Sequence, residues 1–435
     1  MKVYLTSLGC KLNQAEIESL GRRLEATGQQ VVTDVTQADW AIVNTCTVTH
    51  IAARKSRRLL RHLRRENARL RLAVIGCYAE MSPDEVRSLP GVELVIPNAL
   101  KDQAVSRILE REQGEVSSLG PQARATAPLP GGRTRALVKI QDGCDNRCAY
   151  CIVTIARGPS VSRPAEEIVR EVQERLDEGY REIVLTGIHI GAYGRDLEAA
   201  GQPRSLAELV TMLLQRTNLA RLRLSSIEPW DLDDELLACW GDRRLCRRLH
   251  LPLQSGCDAT LRRMGRKITT AGFAAQVARA RRQIPEVAIT TDVIVGFPGE
   301  TEREFAASLA FVEAMAFSRV HVFTYSPRPS TPAAEMPEQV PPSVAQARSK
   351  AMLALAKRLA EGYHARLVGR EVEVLFESAR PKGDTREWNG LTDTYVRLWV
   401  CSDEELHNRL RRVRCLAADA AGLRGELLAC EAHHQ

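Results

Sequence analysis

Cys144-Asp145-Asn146-Arg147-Cys148-Ala149-Tyr150-Cys151 closes the first third of this 435-residue chain, directly after an apolar run, Ala136–Ile140, that reads as a β-strand. Three thiols at spacings x3 and x2 on one loop can wrap three thiolates around a single iron–sulfur cluster. Clusters that only carry electrons normally take four cysteines, so three leave one iron open to a small ligand. Zinc is the rival, because both spacings fall within those of structural zinc sites. A zinc site needs a fourth protein ligand, and none stands nearby. The next histidine downstream, His189, lies beyond a helix and a strand.

Outward from that loop, residues Arg135 to about Tyr325 repeat strand, loop and helix. The strand candidates are Ala136–Ile140, Glu182–Leu185, Leu222–Ser225, Leu249–Leu251, Ile289–Val295 and Val320–Tyr325. Helical patterns occupy Pro164–Glu178, Leu206–Gln215 and Thr301–Ala316. Pro164 and Gly179 suit the two ends of the first helix, and Ser205 with Glu208 fits a capping box on the second. Six such units predict a partial (βα)6 TIM-type barrel, with its ligands at the carboxyl ends of the strands. The loops there are small and polar, around Thr186-Gly187, Glu228, Gln254 and Gly296. Glycines admit a ligand close to backbone, and Glu228 and Gln254 can hydrogen-bond a ribose or an amino acid moiety. His189 and His250 read as packing or hydrogen-bonding residues. Cys239, Cys246, Cys257, Cys401, Cys415 and Cys430 share no spacing and read as structural thiols.

The first 97 residues alternate strands (Val3–Leu8, Trp40–Asn44, Leu72–Ile75) with helical patterns at 13–27 and 50–66, the first stopped by Gly28. This predicts an open parallel sheet of flavodoxin-like style. Cys10, Cys46 and Cys77 each follow one of these strands. Since ligands collect at the carboxyl ends of such strands, the three can converge as a second three-cysteine site made by the fold. A lone cysteine in that position is more often a buried hydrophobe; the shared placement is what argues for ligands. The segment Arg54–Arg71 carries nine basic residues against Glu66. Its charges are expected to cover nearly every helix face. A solvated face competes with a phosphate-contacting one, which so dense a run favours.

Residues 111–133 lose periodicity and collect Gly, Pro, Ser and Ala, as a linker does. After a helix at Ser343–His364, strands at Glu371–Glu377, Thr394–Val400, Arg411–Leu416 and Gly425–Leu428 suffice for a small all-β, OB-like barrel. Such barrels commonly bind RNA through an exposed strand face, and Arg397 is among the arginines available for phosphate. The formal charge of +7 arises from 61 basic against 54 acidic residues, so charge placement matters more than its sum. No apolar stretch approaches a membrane span. Twelve cysteines without a secretory signal are expected in a reducing compartment, the cytoplasm.

The Cys144–Cys151 motif, with an aromatic residue before its last cysteine, resembles that of the radical S-adenosylmethionine (SAM) enzymes. The whole chain resembles the methylthiotransferases of that superfamily, whose C-terminal piece is the TRAM domain. The resemblance implies domains at 1–110, 134–362 and 363–435 and two [4Fe-4S] clusters. Cys144, Cys148 and Cys151 would hold the SAM-cleaving cluster; Cys10, Cys46 and Cys77 would hold the sulfur-carrying one. Tyr150, Thr186, Gly187, Glu228, Gln254 and Gly296 would contact SAM. Arg54, Lys55, Arg58, Arg61, Arg157 and Arg397 would contact RNA.

Gly9-Cys-Lys-Leu-Asn-Gln14, Asn44-Thr-Cys-Thr-Val-Thr49, Gly76-Cys-Tyr-Ala79 and Thr186-Gly-Ile-His-Ile-Gly-Ala-Tyr-Gly194 are similar to the branch acting on N6-threonylcarbamoyladenosine in tRNA. That base lies next to the anticodon. Thr154-Ile155 departs from the usual Pro and aromatic residue. The implied chemistry uses one SAM to methylate a sulfur on the second cluster and another to give a 5′-deoxyadenosyl radical. The radical removes hydrogen from adenine C2, where methylthio joins, with an electron donor such as flavodoxin or ferredoxin. The alternatives are the same chemistry on N6-isopentenyladenosine or on a ribosomal-protein aspartate, and a zinc-stabilised, non-catalytic RNA-binding protein.

Overall fold

The computed structural model describes residues 1–113, 134–197 and 202–429. The linker expected at 111–133 lies almost wholly outside them, as does Cys430. In the N-terminal part, β1 (Lys2–Ser7), β2 (Gln30–Val32), β3 (Trp40–Thr45), β4 (Arg71–Gly76) and β5 (Val92–Val95) pair in the order β2-β1-β3-β4-β5, all parallel. This is the flavodoxin order. β3 is buried along its whole length, as a central strand covered on both faces must be.

Helix α1 (Lys11–Ala26) covers one face and α2 (His50–Glu66) the other. Thr49 caps α2 by accepting from the Ala52 N–H. Ala53, Ser56, Leu60 and Leu63 form its buried stripe. The basic charges therefore do not cover nearly every face, as the sequence suggested; helical spacing leaves one clean inner stripe and confines them to the others.

Six parallel strands form the central part: β6 (Arg135–Lys139), β9 (Glu182–Thr186), β10 (Arg221–Leu224), β11 (Arg248–His250), β12 (Ala288–Val295) and β13 (Arg319–Thr324). A two-residue pair, β7 (Gln141–Asp142) and β8 (Val161–Ser162), brackets the Cys144 loop. Bridges Leu222↔Leu245 and Ser226↔His250 join the β6-β9-β10 and β11-β12-β13 sheets. The result is the expected partial (βα)6 barrel. Ala136 and Val138 face the outer helices, whereas Leu137 and Val184 meet Ala15 of α1. The N-terminal part is thus docked on the other face of the barrel's β6 edge.

The Ser205 cap differs from expectation. Its Oγ accepts from the Glu208 N–H at 3.1 Å, but Glu208 accepts from the Arg204 N–H, so the box is not reciprocal. The complete capping box is Thr301 with Glu304.

The helix Pro342–Ala365 runs across the expected 362/363 boundary. Then β14 (Glu371–Lys382), β15 (Thr385–Thr392), β16 (Arg397–Cys401), β17 (Leu410–Ala418) and β18 (Leu423–Leu427) close a barrel in the order β14-β15-β16-β18-β17. β15 is absent from the sequence-based expectation, and the strand expected at Thr394–Val400 is shorter. Among the described residues, no helix is long and apolar enough to cross a membrane.

Candidate active site

The Cys144–Cys151 loop is pinned at its base. A Cβ on Gly143, whose φ is +69°, would fall 1.8 Å from the Pro159 carbonyl oxygen, so only glycine fits. Cys144 N–H donates to Gly158 O at 3.1 Å, and Ala149 N–H to Met264 O at 2.9 Å. Burial pushes the Cys151 thiol up to about 11, and the neighbouring Cys148 and Cys144 sulfurs push the same way. Burial also raises Cys148, against the opposing charge of Arg266. Three thiols clustered on one loop are the donor set of a soft metal, and no described cysteine is in a disulfide. The loop fits an iron–sulfur group.

Two braces surround it. Arg266 lies 3.8 Å from Cys148 Sγ and grips Glu228 at 2.6 and 3.2 Å. Glu228, expected to meet SAM, thus already holds Arg266. His189 Nδ1 lies 3.7 Å from Cys144 Sγ while its Nε2 meets Asp231 at 2.5 Å. Burial disfavours charge on this ring, but the Asp231 and Cys144 contacts outweigh it and hold the pKa at about 9. The nearby histidine that the sequence did not offer is therefore supplied by the fold.

The second triad forms at the carboxyl ends of the adjacent strands β1, β3 and β4. Cys10 caps α1, Cys46 follows β3 and Cys77 opens the short helix after β4. A Cβ on Gly9 (φ +107°) would lie 2.9 Å from Cys46 Sγ, and one on Gly76 (φ +91°) 2.3 Å from Asn44 Oδ1. These glycines let the three turns approach one another. Burial raises the Cys46 thiol to about 11, with Cys77 and Cys10 adding to the rise. This donor set also fits a sulfur-ligated cluster.

Arg157 joins the two triads. Its side chain is 1% exposed. It donates to Asn13 Oδ1 at 2.6 Å, to Glu16 at 2.9 Å and to Asp142 at 2.9 Å, and its charge bears on the buried Cys77 sulfur. Lys101 and Lys139 complete the lattice. The expectation that Arg157 contacts RNA is corrected: its side chain is 1% exposed and both terminal guanidinium nitrogens are spent on Glu16, Asp142 and Asn13, which leaves neither for a phosphate.

The remaining expected SAM contacts divide. Tyr150 packs edge-to-face on Phe297 at 6.5 Å. Gln254 holds a left-handed backbone (φ +74°) that pairs with Asp292 and Ile294 of β12. Thr186 is buried at the end of β9, and its carbonyl accepts from Ile140. A Cβ on Gly187 would strike Gln141 at 2.9 Å, and one on Gly296 would lie 2.6 Å from Ala345 Cβ. Both glycines bring backbone close to neighbouring protein, Gly296 against the helix that carries Ala345.

Arg54, Lys55, Arg58 and Arg61 are exposed on α2. The three arginines, with Arg57, Arg64, Arg65 and Pro90, line a depression of about 440 Å³. Arg397 is exposed on β16. Sequence reasoning missed Arg266, Asp231 and the Arg157 lattice. Asn13 was within reach of it, standing in the quoted Gly9–Gln14 string.

Residues 2–97 match a family model described as "Uncharacterized protein family UPF0004", and residues 138–312 match the Radical SAM superfamily. The chain is 36% identical over 429 residues to the threonylcarbamoyladenosine tRNA methylthiotransferase MtaB of Bacillus subtilis (strain 168), covering 96% of this chain and 94% of that protein. The Thermotoga maritima protein of the same name is 40% identical over 387 residues, 88% of each. A tRNA-2-methylthio-N(6)-dimethylallyladenosine synthase of Syntrophotalea carbinolica is 33% identical over 405 residues, 89% of this chain and 90% of that one. Among solved structures, the radical SAM methyltransferase TsrM of Kitasatospora setae superposes with a TM-score of 0.58 at 16% identity, over 77% of this chain and 75% of that one, which speaks to fold alone. The chain belongs to the radical SAM methylthiotransferase family, enzymes that work with SAM and [4Fe-4S] clusters.

Proposed function

We propose that this enzyme inserts a methylthio group at C2 of N6-threonylcarbamoyladenosine, next to the anticodon of tRNA, in the cytoplasm. The observation that carries the reading is the meeting of two three-cysteine sets across one domain junction. Arg157, in the helix just after Cys151, bonds Asn13 beside Cys10, and its charge reaches Cys77. The higher identity to the threonylcarbamoyladenosine enzymes, 36–40% against 33–35%, supports the substrate over isopentenyladenosine.

In this reading Cys144, Cys148 and Cys151 hold the cluster that binds SAM, and Cys10, Cys46 and Cys77 hold the other. When bound, the first cluster supplies the electron that cleaves SAM and the second the sulfur to be transferred. The chain's own residues position these groups. Arg266 and Glu228 fix Cys148, the Asp231–His189 pair fixes Cys144, and Arg157 sets the spacing between the two loops. The exposed arginines of α2 and Arg397 on the TRAM-like barrel take RNA phosphates, the usual sequence-independent part of such binding. The electron comes from a small redox protein of the flavodoxin or ferredoxin class.

The test is mass spectrometry of nucleosides from bulk tRNA of cells lacking the gene. Selective loss of 2-methylthio-N6-threonylcarbamoyladenosine is expected. Loss of the isopentenyl product instead changes the substrate, and no change in any tRNA nucleoside refutes the reading.

A further inference from the structure

Among the described residues, seven arginines are 8% exposed or less as whole residues, and five of them pair with a carboxylate: Arg175, Arg221, Arg223, Arg266 and Arg348. Arg248 keeps Asp292 within electrostatic range. Arg328 is the exception. It is 7% exposed, lies in the loop after β13, and has no ion-pair partner among the described residues. Its Nη2 donates to Thr47 Oγ1 at 2.6 Å and its Nη1 lies 3.3 Å from His50 Nδ1, while its buried Nε has no partner. The charges that reach it are the Cys46 sulfur and a second cation, Arg57. A buried cation with another cation beside it and no carboxylate paired to it is costly. Beyond the Cys46 sulfur, its charge is open to an oxyanion.

Its position indicates which anion. Thr47 follows Cys46, so the guanidinium sits where the sulfur-donating loop turns into α2. Arg57 lines the α2 depression, so the positive track on α2 leads inward to Arg328. The same turn exposes Val48 (44%) and Ile51 (57%), apolar side chains against which a base can lie. We propose that Arg328 is a binding residue for an oxyanion of the target nucleotide, namely the backbone phosphate flanking the modified adenosine. This rests on the tRNA reading above. The other oxyanion of that nucleotide is the carboxylate of its threonylcarbamoyl arm, and the test separates the two.

Binding of synthetic anticodon stem-loops to the reconstituted enzyme, without reductant so that no turnover occurs, is measured for wild type, Arg328→Gln and Arg328→Lys. The RNAs carry N6-threonylcarbamoyladenosine, plain adenosine, or the modified base with an uncharged methylphosphonate on its 5′ or 3′ side. We expect Arg328→Gln to weaken binding about 10- to 100-fold, the range for a hydrogen bond to a charged group, with Arg328→Lys losing less. The same factor should persist on plain adenosine and vanish on one methylphosphonate RNA. A factor that vanishes on plain adenosine and persists on both methylphosphonates assigns the arm carboxylate and overturns the phosphate. An equal loss on every RNA, or loss of cluster iron from both variants, makes Arg328 a structural contact and overturns the proposal. Failure of wild type to bind any of these RNAs defeats the tRNA reading itself.

Discussion

Replacing Arg157 by Met tests whether the two triads are held together by charge. The lattice holds three cations, Arg157, Lys101 and Lys139, against two carboxylates, Glu16 and Asp142. The excess positive charge faces Cys77. Removing one partner of a buried pair costs about 3–5 kcal/mol; here two lysines still serve the carboxylates, so the low end, about 3 kcal/mol, applies. At roughly 4–8 °C per kcal/mol for a unit of about 100 residues, the transition of the docked N-terminal part should fall by about 12–24 °C. Calorimetry of the cluster-free protein reads this directly. The effect has a pH signature. Burial alone would raise the Glu16 pKa, but Arg157, Lys101 and Lys139 hold it at about 2, and Asp142 is held well below its ordinary value in the same way. A folded pKa below the unfolded one contributes stability above the unfolded value, about 4.3, that is lost as pH falls through the folded value. The gap between wild type and variant should therefore be full at neutral pH and close between about pH 4.5 and 2. A gap under about 2 °C at pH 7, or one that widens in acid, refutes the reasoning.

Cys148→Ala should abolish 5′-deoxyadenosine formation, whereas Cys46→Ala should retain it and lose thiolation; full thiolation by Cys46→Ala would remove that triad from the chemistry. Arg54, Arg58 and Arg61 changed together to Gln should weaken tRNA binding and lower the slope of log Kd against log salt by about 2, near 0.7 per lost single-strand phosphate contact; an unchanged slope would leave α2 a solvated face. Gly296→Ala should destabilise by about 1–3 kcal/mol, because its Cβ would overlap Ala345, without raising KM for SAM. A raised KM at unchanged stability would restore Gly296 to the SAM site.

Where periodicity was strong, elements were legible. The pattern read at 50–66 is α2 to the residue, because an N-cap threonine and an apolar stripe at helical spacing leave little alternative. The strand β15 was not legible. Thr385–Thr392 mixes Arg, Glu and Asn with a buried Trp388 and Leu391, and it becomes a strand only because β14 and β16 flank it. The placement of the six cysteines, three on one loop and three at strand ends, was readable because a local spacing and a strand-end position are both sequence properties. Arg266 and Glu228 reach Cys148 by long-range pairing, 118 residues away in the case of Arg266. No local pattern carries that. Arg157 misled for a physical reason: an arginine in a loop reads as surface until the fold surrounds it with Glu16 and Asp142.

The C-terminal barrel is tied through one side chain to both of the other parts of the chain. Tyr395, left-handed at φ +69°, projects from the β15–β16 turn. Its hydroxyl accepts from Arg135 at 3.0 Å, and Arg223, Arg248 and Lys11 surround its ring at 4.8–5.3 Å. Burial would raise this phenol, but Lys11 and Arg135 outweigh it and lower the pKa to about 8. Arg223 also donates to the Thr392 and Asp393 carbonyls, and Arg221 to that of Leu391. A non-glycine residue keeps a left-handed backbone only where its surroundings over-determine it, so this turn is fixed to the central strands. Lys11 is the residue after Cys10. A single aromatic ring of the C-terminal barrel therefore meets the central strands and the helix that begins after Cys10. With Arg157 bracing one side of the junction and Tyr395 another, the three parts are held in one geometry, which a reaction joining a sulfur to one chosen carbon of a large RNA requires.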